Sequence, residues 1–188
     1  MPNNPTLPQD SLVVTTYQPE WATLFVERAS AIRLALGPVA LRIDHVGSTT
    51  VVGLAAKPII DVQVSVRSLE PVETYKVHLE GLGYQFRPDN TERTKRYFRE
   101  APGAQRTHIH VRRLGSWSEQ WTLLFRDYIR VNMTDQQEYS ALKRRLAALF
   151  ENDRQGYQRA KEDFMWQVMR RADEWASQTG WGPGPSDA

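Results

Sequence analysis

Nine residues, Pro58-Ile-Ile-Asp-Val-Gln-Val-Ser-Val66, constrain the fold more than any other stretch of the chain. Successive side chains of a strand point to opposite faces. Ile60, Val62, Val64 and Val66 therefore share one face, and Ile59, Asp61, Gln63 and Ser65 share the other. A strand that is apolar on one side and carries an acid and an amide on the other has a core beneath it and a polar space above it. That asymmetry places the strand beside a site.

The flanking pattern fills in the rest. Pro19 suits the first turn of a helix, and Trp21, Leu24, Phe25, Ile32 and Leu36 follow at helical spacing until Gly37-Pro38 ends it. Val39–Ile43 is a short strand candidate, residues 69–80 suit a helix, and short strands are predicted at 84–87, 95–99 and 106–114. From Ser118 onward, apolar stripes over Trp121–Ile129, Tyr139–Leu149 and Tyr157–Trp175 predict three helices. One helix, a mostly β middle and a run of helices make an α+β fold, with an N-terminal helix and a C-terminal bundle covering one face of the sheet. Residues 1–16, rich in Pro, Asn and Thr, read as a flexible lead-in, 17–176 as a single domain, and 177–188 as a flexible tail.

Composition narrows the function classes. With 24 basic and 22 acidic residues in 188, the net charge of +2 is too balanced for a protein that coats DNA. The absence of cysteine excludes thiol catalysis, disulfides and thiolate zinc sites. No stretch free of charged residues exceeds twelve, so no membrane span is expected, and no secretory signal is visible at the start. A cytoplasmic protein is the expectation.

The chemistry concentrates in two places. The first is His45-Val-Gly-Ser-Thr49, twelve residues and a loop ahead of Asp61. Gly47 lets backbone N–H groups approach a phosphate, and Ser48 and Thr49 add hydroxyl donors. Asp61 can hold a Mg²⁺ bridging the phosphates, and Lys57 adds a positive charge. The second is His108-Ile-His110, whose imidazoles share a strand face with Arg106 and Arg112. They can ligate a metal, act as a base or donate to phosphate, and phosphate contact or acid–base work is favoured over a metal site. Residues 85–113 carry eight basic and three acidic groups, which suggests an anion-attracting wall. Arg126-Asp127 reads as an internal ion pair, and the six Trp read as packing residues.

The run HVGSTTVVGLAAKPIIDVQV, with Tyr17-Gln-Pro-Glu-Trp21, His108-Ile-His-Val111 and Leu124-Phe-Arg-Asp-Tyr-Ile-Arg130, closely resembles the GrpB family. Its members look like nucleotidyltransferases of the DNA polymerase beta type. The resemblance implies a mixed sheet and a nucleotide or phosphorylated small molecule as partner. It assigns Asp61, Gln63 and His110 to catalysis, Asp61 also to the metal, and Gly47, Ser48, Thr49, Lys57, His108 and Arg112 to the ligand. Gln63 stands where the wider superfamily carries a second carboxylate, which argues against a two-metal transferase and leaves one metal, helped by His110 or Asp44. Transfer of a nucleotidyl group to a small acceptor is the implied reaction. The alternative is a non-catalytic accessory module, as suggested by fusion of this domain to dephospho-CoA kinase in some bacteria. RNA binding ranks last.

Overall fold

In the computed structural model, which describes residues 12–188, five strands form one mixed sheet. They are β1 (Arg42–Val46), β2 (Ile60–Val66), β3 (Tyr84–Phe86), β4 (Lys95–Glu100) and β5 (Thr107–Arg113), in the spatial order β1-β2-β5-β4-β3. β2 and β5 pair in parallel, and the remaining neighbours are antiparallel. The parallel register sets Asp61 opposite His108 and Gln63 opposite His110. Residues so paired share a face, so the polar sides of β2 and β5 become one surface.

Beneath the apolar face lie α1 (Glu20–Leu36) and α2 (Glu73–Gly81). Trp21, Phe25, Ile32, Tyr75 and Leu79 pack with Ile60, Val62, Val64, Val66, Phe98, Ile109 and Val111 into the main core. Burial of such side chains contributes about 1.5–3 kcal/mol each. Above the polar face, α3 (Trp117–Val131), α4 (Met133–Leu149) and α6 (Glu162–Thr179) enclose a second core with Val51 and Leu54 from the loop after β1, while Tyr157 of α5 (Arg154–Arg159) packs with Leu12 and Leu146 in a smaller cluster. The sheet thus has a dry side and a side that faces the bundle across a gap.

Several boundaries differ from the sequence reading. Gly37–Val39 form a 3₁₀ turn, so β1 begins at Arg42, later than the expected strand. The helix predicted over 69–80 begins at Glu73, just after Pro71, whose carbonyl accepts from Thr74. The third apolar stripe is divided between α5 and α6, making four helices where three were expected. Side chains of Ser116, Asn132 and Asp153 accept backbone N–H groups at the starts of α3, α4 and α5.

Both ends are more engaged than expected. Residues 1–11 of the lead-in lie outside the described residues, but Leu12 is buried and Thr15 exchanges two backbone hydrogen bonds with Ala56. At the other end α6 runs to Thr179, past the expected boundary at 176, and the residues beyond it lie along β1. The Ile43 N–H donates to Ser186 Oγ at 2.8 Å, the His45 N–H donates to Asp187 Oδ2 at 2.8 Å, and the Ala188 N–H donates to the Ile43 carbonyl at 3.1 Å. The outer edge of β1 offers backbone groups that no strand pairs, and the tail satisfies them.

Candidate active-site cleft

Between the polar face of the sheet and the helical bundle lies a cleft of about 540 Å³. Gly47, Ser48, Thr49, Lys57, Asp61, Gln63, His108, His110 and Arg112, the residues singled out from the sequence, all line it. The alternation of β2 and β5 delivers the carboxyl and both imidazoles. The turn after β1 delivers the glycine and hydroxyl residues.

Asp61 is the hub. Its Oδ1 lies 3.1 Å from His110 Nε2 and 3.3 Å from His108 Nδ1. Burial works against ionising this carboxyl, but hydrogen bonds from His108 and His110 outweigh burial and hold it well below the usual carboxylate range. Burial pushes His110 down to about 4, so its ring is neutral near pH 7. Tyr97 on β4 stacks on His110 with ring centres 5.3 Å apart and meets His108 edge-on at 5.4 Å. Gly47, at φ +72° and ψ −170°, passes so close that a Cβ there would stand 2.5 Å from Asp61 Oδ2. Only glycine brings the turn this near the acid.

Some expected groups are committed elsewhere. The Thr49 hydroxyl is buried, donates to the Ile59 carbonyl and pairs with His45 Nε2, so it braces the turn instead of facing a phosphate. Asp44 is fully buried and bound by Arg42 at 2.8 and 3.0 Å, which removes it as a helper to Asp61. Gln63 is fully buried too, with Nε2 3.5 Å from the Glu119 carbonyl and no partner for Oε1 among the described residues. The basic wall is largely neutralised. Arg112 and Lys95 pair with Glu92, Arg96 pairs with Glu70, and Arg99 and Arg106 pair with Glu100. Glu70 lies outside the window in which those charges were counted. The Arg126–Asp127 pair is present at 2.7 Å, with Arg126 buried and also 2.9 Å from Asp187.

The bundle supplies cations that sequence reasoning missed. Lys143 on α4 is 2% exposed, lies 4.3 Å from the centre of the Tyr139 ring, and has no hydrogen-bond partner for Nζ among the described residues. Burial, with Lys161 and Arg144 nearby, pushes its amine down to about 6. Lys161, ahead of α6, is buried over the Tyr157 ring, and burial with Lys57 close by lowers it to about 8. Lys57 stands over the other reach of the same ring, 5.0 Å from its centre. The sequence did hold a signal for Lys143, since it interrupts the apolar stripe that runs through Tyr139, Leu142 and Leu146. Amines gathered at a cleft create a field that attracts anions.

Comparison with known proteins gives the family and the fold. The family model described as GrpB protein matches residues 11–171. UPF0157 protein YqkA of Bacillus subtilis is 32% identical over 168 residues, which span 89% of this chain and 49% of that protein. The chain thus covers about half the length of that relative. A dephospho-CoA kinase of Mycolicibacterium paratuberculosis is 30% identical, the match spanning 88% of this chain and 47% of the kinase. Among solved structures, conserved protein GrpB from Enterococcus faecalis superposes with a TM-score of 0.79 at 33% identity, covering 87% of this chain and 99% of that one. Cid1 poly(U) polymerase with MgGTP bound gives a TM-score of 0.52 at 15% identity over 72% of this chain and 44% of its own. That likeness concerns the fold, which is nucleotidyltransferase-like.

Proposed function

The chain belongs to the GrpB family, and we propose that its cleft binds a nucleotide or another phosphorylated small molecule, with a divalent cation held at Asp61. The observation that carries this reading is the approach of the Gly47 turn to Asp61 in a cleft whose far wall presents Lys143 without a counter-ion among the described residues. Backbone N–H groups at Gly47 and Ser48, with the Ser48 hydroxyl, face the phosphate. Lys57, Lys143 and Lys161 offset its charge, and Arg112, itself tied to Glu92, frames the wall. His110 is poised as a base because its ring is neutral near pH 7. Gln63 positions ligand or bound water through its unpaired oxygen. A divalent cation, when bound, would supply charge neutralisation beside the phosphate. The reaction to test first is transfer of a nucleotidyl group to a small acceptor.

Thermal-shift titration with nucleotides and coenzyme fragments, with and without divalent cation, tests the reading. A ligand that binds only the native state raises the melting temperature by mass action. The wild-type protein is expected to show a saturable rise that Asp61→Ala reduces and Lys143→Met weakens. No rise with any phosphorylated compound would overturn the reading. A second reading, a non-catalytic accessory module, draws on Gln63 in place of a carboxylate. It predicts nucleotide binding without turnover of labelled nucleotide under any cation.

A further inference from the structure

Building on that reading, we infer that the cation at Asp61 is a first-row transition ion held by Asp61, His108 and His110, not magnesium. One ligand atom from each residue lies within 4.8 Å of the others, and both imidazole nitrogens turn toward the same carboxylate oxygen. The two edges to Asp61 Oδ1, 3.1 and 3.3 Å, are compatible with an ion-centred site. Ligands about 2.0–2.2 Å from one ion stand roughly 2.8–3.6 Å apart at cis octahedral or tetrahedral positions. Two imidazoles and a carboxylate with the remaining positions open is the donor set of metal sites that also bind a substrate or water.

Magnesium demands oxygen donors in near-octahedral array and keeps its waters reluctantly exchanged. Among the described residues around Asp61, the acids that could join it in such an array are replaced or committed elsewhere. The second acid of the superfamily pattern is Gln63, Asp44 is held by Arg42, and Glu119 accepts from Ser65 at 2.6 Å and from the Gly115 N–H at 2.9 Å. Imidazole instead suits zinc, iron, cobalt or nickel. The outward nitrogens, His108 Nε2 and His110 Nδ1, are buried with no hydrogen-bond partner among the described residues. Without an ion the inner nitrogens donate to Asp61; because no acceptor among the described residues engages the outer nitrogens, an arriving ion can take the inner lone pairs as the ring protons move outward or leave. Tyr97 packs against both rings and holds their planes. The rings sit on one strand two residues apart, so the site needs no loop closure.

The test uses the full chain freed of metal with a chelator, titrated separately with Zn²⁺, Co²⁺, Mn²⁺ and Mg²⁺ by calorimetry, with Co²⁺ also followed by its visible absorption. One equivalent of a transition ion is expected to bind at least tenfold more tightly than Mg²⁺, with cobalt bands of a nitrogen-ligated site. His108→Ala and His110→Ala are each expected to weaken binding at least tenfold. Should either fail to fold by circular dichroism, His108→Asn or His110→Asn takes its place. Equal or tighter binding of Mg²⁺, no ion binding, or transition-ion binding that survives both histidine changes would overturn the inference. Nucleotide binding measured in chelator separates the two readings. If nucleotide binds while no transition ion does, the metal assignment alone fails; if the ion binds and no phosphorylated compound does, the phosphate reading alone fails.

Discussion

Gly47 follows Val46, the strand partner of Asp61, and meets that acid at close range: the glycine backbone lies where any Cβ would stand 2.5 Å from Asp61 Oδ2 and 3.1 Å from its Cβ. The backbone at Gly47, φ +72° and ψ −170°, is itself in a region that L-residues with side chains avoid. Two constraints therefore coincide at one residue, and both act on the carboxyl that His108 and His110 orient. Gly47→Ala must either displace Asp61 or rearrange the turn. The expected result is a stability loss of about 1–3 kcal/mol together with loss of ligand and cation binding. Urea denaturation and calorimetry read the two effects. Native-like ligand affinity in Gly47→Ala would show that the turn and the acid act independently.

Lys143 is a cost to the free protein that a ligand offsets. With its amine down at about 6, Lys143 is mostly neutral near pH 7, and replacing this buried, unsatisfied polar group with an apolar one of similar volume is expected to stabilise by about 1–3 kcal/mol. The Tyr139 ring 4.3 Å from the amine already compensates part of the cost, which places the gain toward the low end. Lys143→Met is expected to melt higher than the wild-type protein while binding phosphorylated ligands about tenfold more weakly. The pH dependence gives an independent reading. The folded amine titrates at about 6 against an ordinary value of 10.5, so between those pH values the unfolded chain carries the extra proton. Wild-type stability should rise with pH through that window, and the rise should be smaller in Lys143→Met. A variant no more stable than the parent at any pH would mean the amine has a counter-ion in solution.

His45 sets an acid limit. Burial pushes its imidazole down to about 4, with Asp61, Asp187, Arg126 and Arg130 as the charges around it. The ring stacks on Phe25 with centres 4.5 Å apart and pairs with the Thr49 hydroxyl at 3.1 Å. Because the folded value lies below the ordinary 6.5, the unfolded chain binds more protons between pH 6.5 and 4, and stability falls as pH drops through that range. The loss attributable to this ring is on the order of 3 kcal/mol. His45→Phe keeps an aromatic face against Phe25 and removes the titration. Denaturation at pH 7 and pH 4.5 is expected to show a smaller acid loss in the variant. An equal loss in both proteins would assign the acid sensitivity to other groups, His110 first among them.

The parts of the site legible in the sequence were those written by local periodicity. Alternation along Pro58–Val66 placed Asp61 and Gln63 on a polar face, and His-x-His spacing placed His108 and His110 together. What alternation leaves open is which strands become neighbours. The parallel pairing that sets Asp61 opposite His108 joins residues 47 positions apart and is decided by global packing. The arginine-rich window shows the same limit. Its charge count stands, but which groups are tied up is decided by folding: Lys95, Arg96, Arg99, Arg106 and Arg112 pair with Glu92, Glu100 and, from beyond the window, Glu70. Lys143 lies within the apolar stripe of α4 and Lys161 just ahead of α6, and neither position tells from sequence alone that the folded bundle turns its amine toward the cleft. The C-terminal residues, read as irregular from Gly and Pro, are irregular in conformation, yet Gly184 to Ala188 hydrogen-bond to β1, Arg33, Arg42 and Arg126.

That last segment carries a prediction linking fold to site. Asp187 Oδ2 accepts from the His45 N–H at 2.8 Å and from Arg126 Nη1 at 2.9 Å, while Ser186 Oγ accepts from the Ile43 N–H. β1 leads directly into Gly47, so a frayed β1 edge would loosen the turn that meets Asp61. Asp187→Ala leaves a buried backbone donor and one arginine contact unmet, which costs about 1–3 kcal/mol. Because Arg126 retains Asp127 at 2.7 Å, the change falls on β1 more than on α3. Hydrogen exchange should therefore quicken at Ile43 and His45 but not in the parallel β2–β5 pair, and the melting temperature should fall. Affinity for a phosphorylated ligand should weaken in step with that exchange. If exchange at His45 is unchanged in Asp187→Ala, the tail does not brace β1 in solution, and the Gly47 turn owes its position to Thr49 and the sheet alone.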